Sequence, residues 1–204
     1  MKTLFGLDFL YNFKKAIYSS VIYTYLTSIF LIFMYNMSSV KAVDNVVGIA
    51  LVMMVIIQLL SGGLGWGEEM ASGIADQWRV MKVKPFSIIL SKLLAHMTAI
   101  VAPITIAIAY RLEKVGAEAG VAIGVMLIAG FYTATLSMAI ETRQQAHKGA
   151  RQAIVAAAIA PMIIIAMQAI AQKDMTAIML FIAACGALSI LALLYTGTHM
   201  PQSD

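Results

Sequence analysis

The sequence predicts an all-α polytopic membrane protein, and three observations predict it. Hydrophobic residues make up 61% of the chain and charged ones 12%, where soluble domains carry about 45–50% and about 25%. The apolar residues fall in long continuous runs, not in the alternating segments of about 10 residues that build a membrane β-barrel. Six such runs, at roughly 20 residues per membrane-crossing helix, leave little of the 204 residues for a domain outside the membrane. The whole chain, 1–204, therefore reads as a single transmembrane domain. A lone cysteine, Cys185, excludes an intrachain disulfide framework.

The first element is residues 1–16. Phe5, Phe9 and Phe13 recur at a helical interval, and Lys14 and Lys15 follow them. The segment has neither a continuous apolar core nor a small-residue cleavage site, so it reads as an interfacial helix rather than a secretory signal.

Six spans are then expected, at about 17–36, 46–62, 87–110, 116–140, 152–171 and 175–197. Pro161 should kink or break the fifth. Gln58 and Gln168 sit in apolar runs and suit hydrogen bonds between helices. Cys185, mid-span among Ala and Gly, suits tight packing, and the 15 scattered Met residues suit gap filling.

Charge distribution sets the orientation. With both termini in the cytoplasm, the inside holds Lys2, Lys14, Lys15, Arg79, Lys82, Lys84, Arg143, Lys148 and Arg151. The outside holds Lys41, Arg111, Lys114 and Lys173. Basic residues concentrate on the cytoplasmic side of membrane proteins, so the net charge of +4 reads as topology rather than as a polyanion-binding surface.

The longest polar connection, residues 63–86, lies inside in this arrangement. Glu68 to Val80 can form a short helix across the membrane face, with Glu68 and Glu69 at its N-terminal end and Arg79 at its C-terminal end, matching the helix dipole. Pro85 then ends the loop and redirects the chain.

Catalytic motifs are not evident. SGGLGWG at 61–67 is glycine-rich but lacks the Gly-Lys-Ser/Thr of a nucleotide loop, and it reads as a flexible exit from the second span. The chain is not expected to be an enzyme by itself. His96, His147 and His199 fall in different segments, so no metal-ligand spacing arises. The polar residues within the spans carry more information. Lys92 and His96 are four apart on one face of the third span, and Pro103 follows. Ionisable residues in a span are functional candidates. Two other readings stand beside that one: Lys92 snorkelling to the interface, and His96 bonding a neighbouring helix. Glu141 reads as an interface residue at the end of the fourth span.

The segment EEMASGIADQWRVMKVKPFSIILSKLLAHMTAIVAP, residues 68–103, resembles CcmB, the permease family of the haem-exporter-type ABC complex of cytochrome c maturation. The resemblance rests on the acidic pair Glu68 and Glu69, then Gly73, Asp76 and Gln77, then Lys92, Ala95, His96 and Pro103. It covers 36 residues closely, and length and span number extend it loosely over the chain.

Glutamates replace the more usual aspartates of the pair, and a proline-rich stretch is reduced to Pro85. The resemblance implies an ABC-2-type permease whose loop helix is a coupling helix. Glu68, Glu69, Gly73, Asp76, Gln77 and Trp78 would contact a separate ATPase subunit (CcmA), where ATP binds. Further implied partners are a haem-handling membrane subunit (CcmC), a small single-span subunit (CcmD) and the haem chaperone (CcmE). Haem would be cargo at most. The two tryptophans, Trp66 and Trp78, do not make a haem-handling motif.

The expected location is a bacterial inner membrane, a mitochondrial inner membrane being the less favoured one. Two other functions fit the same architecture: an ABC-2-type exporter of a lipid, glycan or drug, and a non-transporting membrane scaffold. An autonomous secondary transporter fits less well, because no internal repeat is evident.

Overall fold

In the computed structural model the described residues are 9–11, 13, 14, 43–60, 66–73, 78, 80, 84–114, 119–143 and 148–199. Helices dominate them: α1 (Val43–Leu60), α2 (Trp66–Ala71), α3 (Pro85–His96), α4 (Ala102–Lys114), α5 (Ala119–Arg143), α6 (Lys148–Gln172) and α7 (Met175–Thr198). Between α3 and α4 the chain winds without a break through a π-helical turn, Met97–Val101.

Four helices are long and apolar enough to cross a membrane: Phe86–Ala107, Gly120–Thr142, Ala153–Ile170 and Met175–Thr198. They match the third to sixth expected spans, and the fold is that of an all-α membrane protein. The second expected span corresponds to α1, with its apolar stretch Ile49–Gln58. The first, 17–36, lies outside the described residues. Of residues 1–16, Phe9, Leu10, Tyr11, Phe13 and Lys14 are helical. The Phe9 and Phe13 rings stack at 5.7 Å, as their four-residue interval predicts.

Helix α5 is the hub. It packs against α1, α2, α4, α6 and α7. The third span is the most enclosed, with 67% of its apolar stretch buried, against 22% for each of the last two. Helix α7 buries one stripe only: Ile178, Phe181, Cys185, Ser189, Ala192 and Thr196. Their three- and four-residue intervals put them on one face, and Cys185 is fully enclosed there, in the small-residue role its surroundings suggest.

Interior hydroxyls are satisfied by their own helices. Thr105 donates to Val101 O at 2.8 Å, Thr133 to Ala129 O at 2.8 Å, Ser189 to Cys185 O at 2.7 Å and Thr196 to Ala192 O at 2.8 Å. A hydroxyl buried this way does not need a partner from a neighbouring helix. Gln58 does take one: its Nε2 donates to Gly130 O of α5 at 3.0 Å. Gln168, by contrast, lies on the exposed face of α6.

Two expectations about helix ends are corrected. Helix α6 runs without interruption from Lys148 to Gln172 through Pro161. The break is therefore ruled out, since one missing backbone hydrogen bond at Pro161 does not end a helix whose other turns are intact. The outside loop expected at 111–115 is still helical as far as Lys114.

The 172–174 connection is a tight turn. Lys173 N–H donates to Ile170 O and Asp174 N–H to Ala169 O, both at 3.1 Å. That is the Schellman pattern, with Lys173 in the left-handed position (φ 54°) that glycine usually fills. Asp174 then caps α7, accepting from Thr176 N at 3.0 Å and Ala177 N at 3.1 Å.

Candidate functional site

The site is built where α2 meets the start of the third span and the end of α5. Helix α2 has six residues, WGEEMA, too few to hold itself together in isolation. Trp66 anchors it. The indole is fully buried, and its Nε1–H donates to Thr142 Oγ1 at 2.8 Å. Thr142 in turn donates to Met138 O at 2.8 Å. Around the indole lie Ile88, Ile89, Leu93, Ala134 and Met138, with Trp78 partly buried beside them. The two tryptophan rings are 6.1 Å apart.

Glu141 supplies the second anchor. Its Oε2 accepts from Gly67 N–H at 2.8 Å. The first N–H groups of a helix have no partner within it and carry partial positive charge. A carboxylate from the end of α5 therefore caps α2 from outside. Sequence reasoning placed Glu141 at an interface; the structure shows what it holds there.

With its N-terminus pinned, α2 turns Glu69 toward α3. Lys92 Nζ donates to Glu69 Oε1 at 2.6 Å. Lys92 is 1% exposed and Glu69 9%. Lys92 therefore does not snorkel: its ammonium ends inside the bundle on a carboxylate brought by the loop. Two charges taken from water together are tolerable because each meets the other; either one left alone there would be costly.

The single loop helix expected from Glu68 to Val80 is corrected. Helix α2 starts at Trp66 and stops at Ala71. Ser72 Oγ donates to Glu69 O at 3.1 Å, and Gly73 takes the left-handed conformation, φ 77°. A residue with a Cβ strains at that angle, so Gly73 ends the helix there. Trp78 and Val80 are helical again beyond it. Trp66 and Gly67, expected in a flexible exit, are instead a buried helix start.

Of the residues singled out in the sequence, the structure brings Glu69, Lys92 and His96 into one buried region. His96 is one turn beyond Lys92 on the same face and 2% exposed, and its Nε2 has no hydrogen-bond partner among the described residues. Pro103 is exposed and stands apart from them. Trp78 lies against Trp66, and Gly73 lies at the end of α2. Asp76, Gln77 and the Glu68 side chain fall outside the described residues.

Trp66, Glu141 and Thr142 were not foreseen as site residues. Their signal was faint: a tryptophan opening a polar loop, and an acidic residue closing a span on the same side.

No family model, curated protein or solved structure matches this chain.

Proposed function

We propose that this chain is the permease subunit of an ATP-driven membrane complex, of the kind that serves cytochrome c maturation. In this reading the loop between the second and third spans receives motion from a separate ATPase subunit. The observation that carries it is the buried Glu69–Lys92 ion pair. A loop that merely connects two spans has no need to place a carboxylate on a lysine inside the bundle. A loop that must move a span does, because the ion pair, together with the Glu141 and Thr142 contacts to α5, makes α2 a stiff link between the membrane face and two spans.

The assignment to cytochrome c maturation rests on the resemblance of residues 68–103 to the CcmB family. The ATPase contact would then fall on Glu68, Gly73, Asp76, Gln77 and the outer edge of Trp78. Glu69, buried on Lys92, would act as the transmitting residue instead. The partners would be CcmA, CcmC and CcmD, with the haem-loaded chaperone CcmE as the species acted on, in a bacterial inner membrane with both termini cytoplasmic.

The test is deletion of this chain, followed by a haem stain for covalent c-type cytochromes and a blot for the loaded chaperone. Loss of cytochromes with accumulation of the loaded chaperone is expected. Normal cytochromes would overturn the assignment and leave an exporter of another substrate, such as a lipid, glycan or drug. Within the complex, Glu68→Lys with Asp76→Lys should release the ATPase subunit, whereas Glu69→Gln should retain it and lose the output.

A further inference from the structure

The third span is not a uniform rod. Its π-helical turn, Met97–Val101, begins directly after His96 and ends two residues before Pro103. Ala102 N–H donates to Met97 O, one residue further back than in an α-helix. Pro103 has no N–H, so Ala99 O loses its usual donor. Side-chain hydroxyls within the turn and beyond it also bond the backbone carbonyls. Thr98 Oγ1 donates to Leu94 O at 2.7 Å and Ala95 O at 3.1 Å, and Thr105 Oγ1 to Val101 O at 2.8 Å. Backbone bonding here is held partly by groups that can change partner at little cost.

The turn is seated on one glycine. A Cβ on Gly130 of α5 would come within 2.7 Å and 2.8 Å of the Val101 methyls. Only a glycine lets the turn lie this close, and Gln58 holds the same residue by its carbonyl.

His96 is the anomaly beside this turn: among the described residues its Nε2 has no hydrogen-bond partner. A buried polar atom without a hydrogen bond is disfavoured and calls for an explanation, most of all inside a membrane bundle. Packing does not require a histidine here, since an apolar side chain would fill the same place without an orphaned nitrogen.

We infer that the π-turn is a hinge between two rigid halves of the third span, and that His96 Nε2 finds its hydrogen bond in the hinge's second state. The π-turn carries one residue more than an α-turn. The helix bends most easily at such a bulge, and a bend there swings the half before the turn against the half after it, which takes His96 to a different neighbour. The orphaned nitrogen raises the free energy of the state in which it has no partner. This hinge requires no ATPase partner and stands or falls apart from the proposed function.

The test is a distance measurement by pulsed electron spin resonance on the full chain in lipid nanodiscs, in a Cys185→Ala background. One label pair, on Phe86→Cys and Leu194→Cys, reports the half before the turn. The other, on Ile106→Cys and Met179→Cys, reports the half after it. All four positions are exposed.

The expected result is two distances for the first pair and one for the second. His96→Leu, which removes the orphaned nitrogen, should shrink the second population about tenfold. Gly130→Ala, which unseats Val101, should enlarge it. If His96→Leu does not assemble, His96→Met makes the same comparison. A single distance in both pairs overturns the hinge. So does a second distance that neither substitution changes, and so do two distances in both pairs, which would mean that the whole span moves as one body.

Discussion

Lys92 reaches Glu69 at 2.6 Å across a loop, and both side chains are buried. One partner belongs to a membrane span and the other to a six-residue helix in the loop before it. This pair fixes where the loop lies, and its energetics have a characteristic signature. Removing one partner of a buried pair costs about 3–5 kcal/mol, whereas replacing both with apolar groups is often close to neutral. Lys92→Met alone and Glu69→Met alone should therefore each lower the thermal midpoint in detergent. The double variant should recover most of the loss. A double-mutant cycle with additive losses would mean that the two side chains do not act as a pair.

The contact between Glu141 and Gly67 can be read by fluorescence. The chain has two tryptophans, Trp66 and Trp78, and both belong to this cluster. Tryptophan emission, excited selectively over the eight tyrosines, therefore reports on the site alone. Glu141→Ala strips the cap from α2 and should shift the emission to the red, while helix content stays unchanged. Trp66→Phe loses the bond to Thr142 and part of the buried ring, and should cost at least about 1–3 kcal/mol. Unshifted emission in Glu141→Ala would show that α2 stays docked without its cap.

The four helices long enough to cross a membrane were legible in the sequence, because continuous apolar runs of sufficient length have few other uses. The faces of those spans were not. Helix α7 is apolar all round, so nothing in its composition distinguishes the stripe through Phe181, Cys185 and Ser189 from the exposed Leu180, Leu188 and Leu191. Such a face is chosen by its neighbours, here α5.

Lys92 and His96 were legible as a pair because four residues make one helical turn. The partner of Lys92 was not, because Glu69 lies 23 residues away across a loop and no local period links them. Gly73 was singled out only through the resemblance. What its lack of a side chain does, ending α2 at a left-handed residue, depends on a backbone angle that residue identity only permits.

The two span glutamines should differ. Gln58 is buried and holds Gly130 O of α5, while Gln168 is exposed on α6. Hydrogen bonds between membrane helices are worth about 0.6 kcal/mol on average and up to about 2. Gln58→Leu should lower stability by about that amount, and Gln168→Leu should leave it unchanged or raise it in lipid. Equal losses in guanidinium or thermal unfolding would assign Gln168 a partner of its own.

The turn joining α6 and α7 offers a local test of backbone chemistry. Lys173 holds the left-handed position at φ 54°, which costs a residue with a Cβ about 1–2 kcal/mol. Glycine avoids that cost but gives up about 0.5–1 kcal/mol of chain entropy. Lys173→Gly should therefore be neutral to slightly stabilising, and Lys173→Val clearly destabilising, because a β-branched side chain fits this region worst. Asp174→Ala removes the acceptor for Thr176 N and Ala177 N and should cost about 1 kcal/mol, with Asp174→Asn keeping most of it. For a chain of this size, 1 kcal/mol corresponds to about 2–4 °C in the unfolding midpoint. The order Lys173→Gly, wild type, Asp174→Asn, Asp174→Ala, from highest midpoint to lowest, is the expected result. An Asp174→Ala midpoint equal to wild type would mean that packing of α7 on α5, and not the cap, fixes where the last helix begins.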